Sequence, residues 1–265
     1  MLNPAELWDK YLRKKQTYQE LAEEYGCSAK TIQRRLDEYS VQLNERFPTV
    51  ANVVMDTTYF GRNFGVMCFK DSISKTLLYK QYVRFETNTL YFNGIQTIRS
   101  KGIEIQSIIC DGRKGLFGLF GDVPVQMCQY HQQAIIRRYL TRNPKLQAGK
   151  ELLELSKKLS KLSEKQFIML FEEWENRWLS FAKERTKNEA TGKTHYTHKK
   201  LHSAWRSIKN NLPYLFVFEH YKEFNMPNTT NDLEGSFSAL KKRLNNHNGL
   251  TVERKKKFID GFFKA

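Results

Sequence analysis

The sequence predicts an α/β fold: a mixed sheet followed by helices and preceded by a small helical domain. Three observations predict it. Residues 1–46 hold two short capped helices around a glycine turn, residues 50–127 alternate β-rich apolar runs with turn residues, and helical spacing governs most of the chain beyond residue 127.

The N-terminal elements come first. Thr17 followed by Glu20 is a capping-box start. Leu21, Ala22 and Tyr25 recur at helical spacing, Gly26 suits the left-handed residue at a helix end, and Ser28 can cap the next helix. Ile32, Leu36 and Tyr39 form that helix's apolar stripe and leave Lys30, Gln33, Arg34 and Arg35 on its other faces. Two short helices around a glycine-containing turn match a helix-turn-helix, whose second helix puts its N-terminal residues at base edges. Ser28, Lys30, Thr31, Gln33, Arg34 and Arg35 are therefore the candidate DNA contacts. The competing reading is a helical hairpin that only packs on the rest of the protein. An upstream helix over about residues 4–14 completes a three-helix unit, residues 41–49 read as a linker, and the domain boundary falls after residue 46.

Strands come next. Val50–Tyr59, Phe64–Lys70 and Thr76–Phe85 are β-rich and separated by Gly61-Arg62-Asn63 and Asp71-Ser72, which predicts an antiparallel meander. Thr87–Ser100 has helical spacing through Leu90, Ile95 and Ile98, and Gly102 ends it. Ile103–Cys110 is a fourth strand, Lys114–Phe120 a short helix and Val123–Met127 a fifth strand. The order β-β-β-α-β-α-β, then helices, is that of a ribonuclease-H-like domain.

Composition narrows the function. Lys+Arg is 44 against 28 Asp+Glu, a formal net charge of +16 over 265 residues, which argues for a polyanionic partner. Segments 1–46, 47–131, 132–227 and 228–265 carry net charges of 0, +3, +9 and +4, so a simple basic tail is excluded and a broad basic surface fits better. A 40% hydrophobic content excludes disorder as the main description. No run of apolar residues suits a membrane span, no secretory signal is evident, and four widely spaced cysteines form no disulfide framework. A cytoplasmic protein with reduced thiols is the expectation.

Carboxylates carry the candidate chemistry. Asp56 interrupts an apolar strand, where a charge is costly unless it is paired or binds a metal. Asp111 ends the fourth strand, and in a ribonuclease-H-like sheet the first and fourth strands are neighbours, so the two carboxylates would converge and favour Mg²⁺. Taken singly, each reads as a strand-end or turn residue. A third carboxylate is expected on the amphipathic helix over residues 231–244, whose core stripe is Leu233, Phe237, Leu240 and Leu244. Glu234 lies at the edge of that stripe, whereas Asp232 looks more like an N-terminal charge complementing the helix dipole.

The set Asp56-Thr57-Thr58-Tyr59-Phe60-Gly61, Cys110-Asp111-Gly112, Cys128-Gln129-Tyr130-His131-Gln132 and Thr230-Asn231-Asp232-Leu233-Glu234-Gly235 resembles the DDE transposases of bacterial insertion sequences, most of all the Mutator-like group. The resemblance runs from about residue 10 to the end. It implies a catalytic domain over residues 47–265 with Asp56, Asp111 and Glu234 as catalytic and metal-binding residues. It also implies an all-helical insertion at about 135–225 between the second Asp and the Glu. Cys128 and His131 would lie beside the active site, with His131 a further candidate DNA contact. A structural zinc site at this pair, with Cys110 nearby, lacks a convincing fourth ligand. The chain starts almost at the helix-turn-helix, where members often carry more DNA-binding sequence.

The insertion and the end of the chain hold further basic, histidine and tryptophan clusters. Lys157, Lys158, Lys161 and Lys165 are expected to line one helix, and His195, His198 and His202 a polar helix face. Trp174, Trp178 and Trp205 suit either the core or base stacking. Arg254-Lys255-Lys256-Lys257 is either a phosphate contact or a solvated helix face.

The expected activity is transposition. Asp56, Asp111 and Glu234 would hold two Mg²⁺, with Mn²⁺ as substitute, one activating water or a DNA 3′-hydroxyl and the other stabilising the leaving 3′ oxygen. The helix-turn-helix would bind the terminal inverted repeats, the freed 3′-hydroxyl would be joined to target DNA, and a homodimer or larger assembly would hold two ends. The alternatives are a helix-turn-helix regulator derived from a transposase and no longer catalytic, and another ribonuclease-H-like nuclease such as a junction resolvase.

Overall fold

The computed structural model of the protein describes residues 3–40 and 46–264. Residues 41–45 of the expected linker lie outside the described residues. Helix α1 (Pro4–Leu12) starts at Asn3, whose side chain accepts the Ala5 amide at 3.0 Å, with proline in the first helical position. Helix α2 (Tyr18–Glu24) has the expected capping box in full, Thr17 Oγ1 accepting the Glu20 amide and Glu20 Oε2 accepting the Thr17 amide. Gly26, at φ +61°, turns the chain into α3 (Ala29–Glu38), where Ser28 Oγ accepts the Thr31 amide at 3.1 Å. Leu7, Tyr11, Leu12, Leu21, Ile32 and Leu36 form the buried seam of these helices.

The sheet matches the predicted order. Strands β1 (Val50–Tyr59), β2 (Gly65–Asp71), β3 (Leu77–Val83), β4 (Glu104–Cys110) and β5 (Val125–Met127) lie in the order β3-β2-β1-β4-β5, with α4 (Asn88–Ser100) between β3 and β4. The pairs β1–β2 and β2–β3 are antiparallel; β1–β4 and β4–β5 are parallel. This strand order with these directions is the mixed sheet of a ribonuclease-H-like α/β fold. Residues Ala51–Met55 are buried without alternation because β1 is central, with both faces covered. The short helix expected at 114–120 is reduced to one 3-10 turn, Phe117–Leu119.

Next come α5 (Gln129–Leu140), α6 (Gln147–Lys157), α7 (Glu164–Ala182), strands β6 (Arg185–Lys187) and β7 (Thr194–Tyr196), α8 (Lys199–Leu215) and α9 (Val217–His220). Within this otherwise helical insertion, the β6–β7 hairpin departs from the all-helical expectation. Its segment has only Ala190 and Tyr196 besides polar residues and glycine, so no apolar periodicity marks it, and Gly192 at φ +68° closes its turn. His195 therefore lies on a strand, His198 caps α8 and His202 is buried, so the three histidines share no polar helix face. Lys157 ends α6, Lys158 is its C-cap, Lys161 is in the loop and Lys165 is in α7, so these lysines do not line one helix. The tryptophans are core or anchored inside: Trp174 is buried and donates to the Ala148 carbonyl at 2.9 Å, Trp178 to Glu151 and Trp205 to Glu175, both at 2.8 Å.

The chain closes with α10 (Asn231–Leu244), at the predicted bounds, and α11 (Val252–Lys264). It divides into two compact units, Pro48–Leu233 around the sheet and Met1–Phe47 together with Glu234–Ala265. The expected division kept residues 234–265 with the sheet; the contacts group them with the N-terminal helices. The reason is α11. Its Phe258 is fully buried against Tyr11 and His247, and its Gly261 leaves room for the Trp8 ring. Arg254 forms a two-pronged ion pair with Asp37 at 3.0 and 2.7 Å. Lys257 Nζ donates to the carbonyls of Leu36 and Asp37, each at 2.6 Å, neutralising the C-terminal end of α3.

Candidate active site

Within the sheet unit, the β1–β4 pairing decides where the predicted aspartates stand. Val54 is the parallel partner of Ile109, so the register carried two residues further sets Asp56 level with Asp111, the residue after β4. Neighbouring strands lie about 4.8 Å apart, so a register continued past the end of β4 brings the two backbone positions next to each other at the C-terminal end of that strand. Both are half-buried. Asp56 Oδ1 accepts the Thr57 amide at 2.8 Å, and Asp111 Oδ1 accepts the Arg113 amide at 3.2 Å, so each side chain is oriented by the backbone next to it.

A third carboxylate of this unit belongs to the same neighbourhood and escapes a reading of the sequence. Glu86 sits half-buried between β3 and α4. Burial and the charge of Asp111 push its carboxyl above the usual range, against the opposing pull of Arg113 and of hydrogen bonds from Tyr91 and Tyr59. Its only sequence signal is a carboxylate at a strand-to-helix junction, which is common in any fold. Arg113 joins the pieces. Its Nη2 donates to the Glu86 carbonyl at 2.9 Å, its Nε to Asn88 Oδ1 at 2.8 Å, and its Nη1 lies 3.7 Å from Glu86 Oε2. Asn88 in turn donates to the Lys114 carbonyl at 3.1 Å. The loop carrying Asp111 is thereby tied to the start of α4.

Negative charge accumulates here. The buried Tyr91 hydroxyl, 3.0 Å from Thr57 Oγ1, is pushed well above its ordinary value by burial, then by Glu86, with Asp111 and Asp56 adding to it. The Cys110 thiol is raised by burial, by Asp111, by Cys128 and by Asp56. Half-buried carboxylate oxygens under mutual repulsion are a hard donor set, which fits Mg²⁺ or Mn²⁺ and does not fit a soft metal.

The later motifs are divided between the two units. Glu234 is half-buried in the first turn of α10 and opens the helical unit, one residue after Leu233. Asp232, in the sheet unit, is held by Lys70 Nζ at 2.8 Å and Lys75 Nζ at 3.6 Å. Burial opposes its ionisation, but the Lys70 hydrogen bond and charge outweigh that, and its carboxyl lies below the usual range. Cys128 caps α5, its amide donating to the Cys110 carbonyl at 2.8 Å. The Thr230 amide and hydroxyl both donate to Cys128 Sγ at 3.3 Å, and Thr230 Oγ1 lies 3.5 Å from His131 Nδ1. The Cys-x-x-His turn thus pins the segment that leads into α10.

In the helical unit, Ser28, Lys30, Thr31, Gln33 and Arg34 line one concavity of about 390 Å³. Arg254 of α11 and its partner Asp37 complete the lining. Arg35 is exposed beside Glu38, at 3.3 Å. Arg254 was visible in the sequence only as part of a charge run.

No protein-family model matches the chain, and no curated protein sequence matches it. Among solved structures it is similar to a chain in the cryo-electron microscopy structure of the simian T-cell lymphotropic virus intasome in complex with PP2A regulatory subunit B56 gamma. The identity is 13%, the TM-score is 0.24, and the match covers 54% of this chain and 63% of that chain. The match thus spans less than two thirds of that chain's length. The ribonuclease-H-like fold rests on strand order and direction alone.

Proposed function

We propose that the protein is a metal-dependent polynucleotidyl transferase acting on DNA, and more specifically a DDE transposase that cleaves and joins the ends of its own element. The observation that supports this reading most is the parallel β1–β4 register of a ribonuclease-H-like sheet, Val54 opposite Ile109, which carried two residues on brings Asp56 level with Asp111. In this reading Asp56, Asp111 and Glu234 hold two Mg²⁺. When bound, the ions would lower the barrier to in-line displacement at phosphorus by activating the attacking oxygen and stabilising the leaving one. The chain's own residues do the rest. The Thr57 and Arg113 amides orient Asp56 and Asp111. Arg113 fixes the Asp111 loop, and Glu86 adds negative charge beside it. Ser28, Lys30, Thr31, Gln33, Arg34 and Arg35 contact duplex DNA at the terminal repeats, and His131 contacts DNA near the scissile phosphate. Two DNA ends must be held together, so the working species is a homodimer or larger.

The test is strand transfer. Purified protein is mixed with labelled DNA carrying the flanks of its own gene, with Mg²⁺ or Mn²⁺, beside Asp56→Asn, Asp111→Asn and Glu234→Gln. The expected result is metal-dependent nicking at the repeat ends and joining to target DNA, lost in all three variants. Specific binding of the ends without cleavage by the wild type would replace this reading by the regulator reading. Cleavage that survives Glu234→Gln but not Glu86→Gln would move the third carboxylate to Glu86.

A further inference from the structure

The β6–β7 hairpin has no place in the chemistry above. Residues 183–195 are thirteen consecutive exposed residues. An isolated two-stranded hairpin is marginal in water, so an arm of this kind persists only when its turn and its base are built for it. Both are. In the turn, the Asn188 amide donates to the Lys193 carbonyl at 2.9 Å, Gly192 donates back to Asn188 at 2.8 Å, and Asn188 Oδ1 accepts the Thr191 amide at 3.0 Å. At the base, Tyr196 stacks on His202 at 3.7 Å and His198 on Phe181 at 3.9 Å. Lys183 Nζ lies 5.1 Å from the Trp205 ring, and Glu184 pairs with His198 at 3.1 Å.

The two faces of the ribbon differ. Register pairs Arg185 with Tyr196 and Lys187 with Thr194, so alternation puts these four on one face, with the Arg185 guanidinium 4.9 Å from the Tyr196 ring centre. Thr186 and His195 pair on the other face, which is polar and carries no fixed charge. Residues 183–200 hold six Lys or Arg and two Glu, a net of +4 on a projecting element. Apart from the half-buried Tyr196 at its base, the ribbon buries nothing on either face and contributes no core. Its rigidity and charge suit a partner that is elongated and polyanionic, and a two-stranded ribbon is one of the shapes the major groove admits.

We propose that the β6–β7 hairpin is a second DNA-contacting element, a ribbon that lies along a duplex with Arg185, Lys187 and Lys193 on phosphates. The proposal rests on the reading of the protein as a DNA enzyme and adds an interface separate from α3. The contacts are to the backbone, so they carry affinity and salt dependence rather than sequence preference.

The test is fluorescence anisotropy of a labelled duplex of arbitrary sequence, titrated with full-length protein across a series of salt concentrations. The comparison is wild type against the triple variant Arg185→Gln, Lys187→Gln, Lys193→Gln and against Glu189→Lys. Three lost phosphate contacts make the slope of log affinity against log salt shallower by about 2.7, so from about 50 to 200 mM salt the wild type loses about 40-fold more affinity than the triple variant. Glu189→Lys, which adds a cation in the turn, steepens the slope by up to about 0.9. All four side chains are exposed, so the unfolding midpoint stays at the wild-type value and a folding defect cannot imitate the result. Wild-type binding with an unchanged slope in both variants overturns the proposal. So does an unchanged slope with a shifted oligomer mass, which would assign the hairpin to a second copy of the chain. A wild type that binds no duplex at all overturns the DNA reading itself, a different outcome from the first two.

Discussion

Replacing Gly94 by alanine sets two known energies against each other. In the interior of α4, alanine over glycine is worth about 1 kcal/mol of helix stability. The added methyl, however, meets the Phe69 ring of β2: its Cβ would stand 2.6 Å from Cε2, 2.8 Å from Cε1 and closer still to Cζ. Phe69 is fully buried, with Tyr79 5.7 Å away on one side and Tyr91 6.2 Å away on another, so the ring has no open direction to take. Overpacking of this kind costs about 1–3 kcal/mol, and a contact this short belongs at the upper end. The net expectation is destabilisation by about 1–2 kcal/mol, or a thermal midpoint lowered by roughly 2–8 °C for a unit of this size. Circular dichroism at a fixed scan rate reads it. Gly235→Ala, in the helical unit, shows the helix term without the clash: its Cβ meets nothing within 4 Å, so that unit's midpoint rises slightly. A rise for Gly94→Ala would refute the packing argument. The displaced Phe69 also presses on Tyr91, which touches Thr57 next to Asp56, so cleavage by the variant should fall even where the protein is folded.

Three further outcomes are expected. Arg113→Ala frees the loop after Asp111 from Glu86 and Asn88, so the rate of cleavage falls at least tenfold while affinity for the terminal repeat, measured by anisotropy, is unchanged. Lys257→Met removes the ammonium from the C-terminal carbonyls of α3 and lowers stability of the helical unit by about 1 kcal/mol, read as a shift in urea midpoint. His247, packed on Tyr11 and Phe258 with a buried Nε2 that has no hydrogen-bond partner among the described residues, is held below its usual pKa by burial, with Glu20 opposing. The unfolded chain therefore binds the proton more tightly, and stability is full above pH 6.5 and declines as the pH falls through that value. His247→Phe flattens the decline over pH 7 to 5; a profile parallel to wild type would remove His247 as its cause.

The sheet was legible because its signals are local. Val50–Tyr59 announced itself by a β-rich run with one carboxylate inside it, and the Thr17/Glu20 and Ser28 caps fixed α2 and α3 to within a residue. The positions of Asp56 and Asp111 came from strand order, since neighbouring strands with a shared direction bring i and j to one level. Each feature that escaped has a physical cause. The hairpin carries no apolar alternation, because beyond Tyr196 at its base neither face is buried. Glu86 becomes part of the site only through its nearness to Asp111, 25 positions away in the chain, which no spacing rule records. Arg254 and Lys257 read as a phosphate contact or a solvated helix face because their partners, Asp37 and the end of α3, lie over 200 residues earlier.

The pairing of α11 with α3 also orders events at the ribosome. The sheet unit is one continuous stretch, so it can reach its structure as soon as residue 233 has emerged. The helical unit cannot, because the side chains that close its seam, Phe258 and Gly261 against Tyr11 and Trp8, are made last. The first three helices wait, partly assembled, through the synthesis of everything between. A chain cut before residue 258 would lack the side chains that close the seam over Tyr11 and Trp8, so its first three helices would stay incomplete beside a folded sheet.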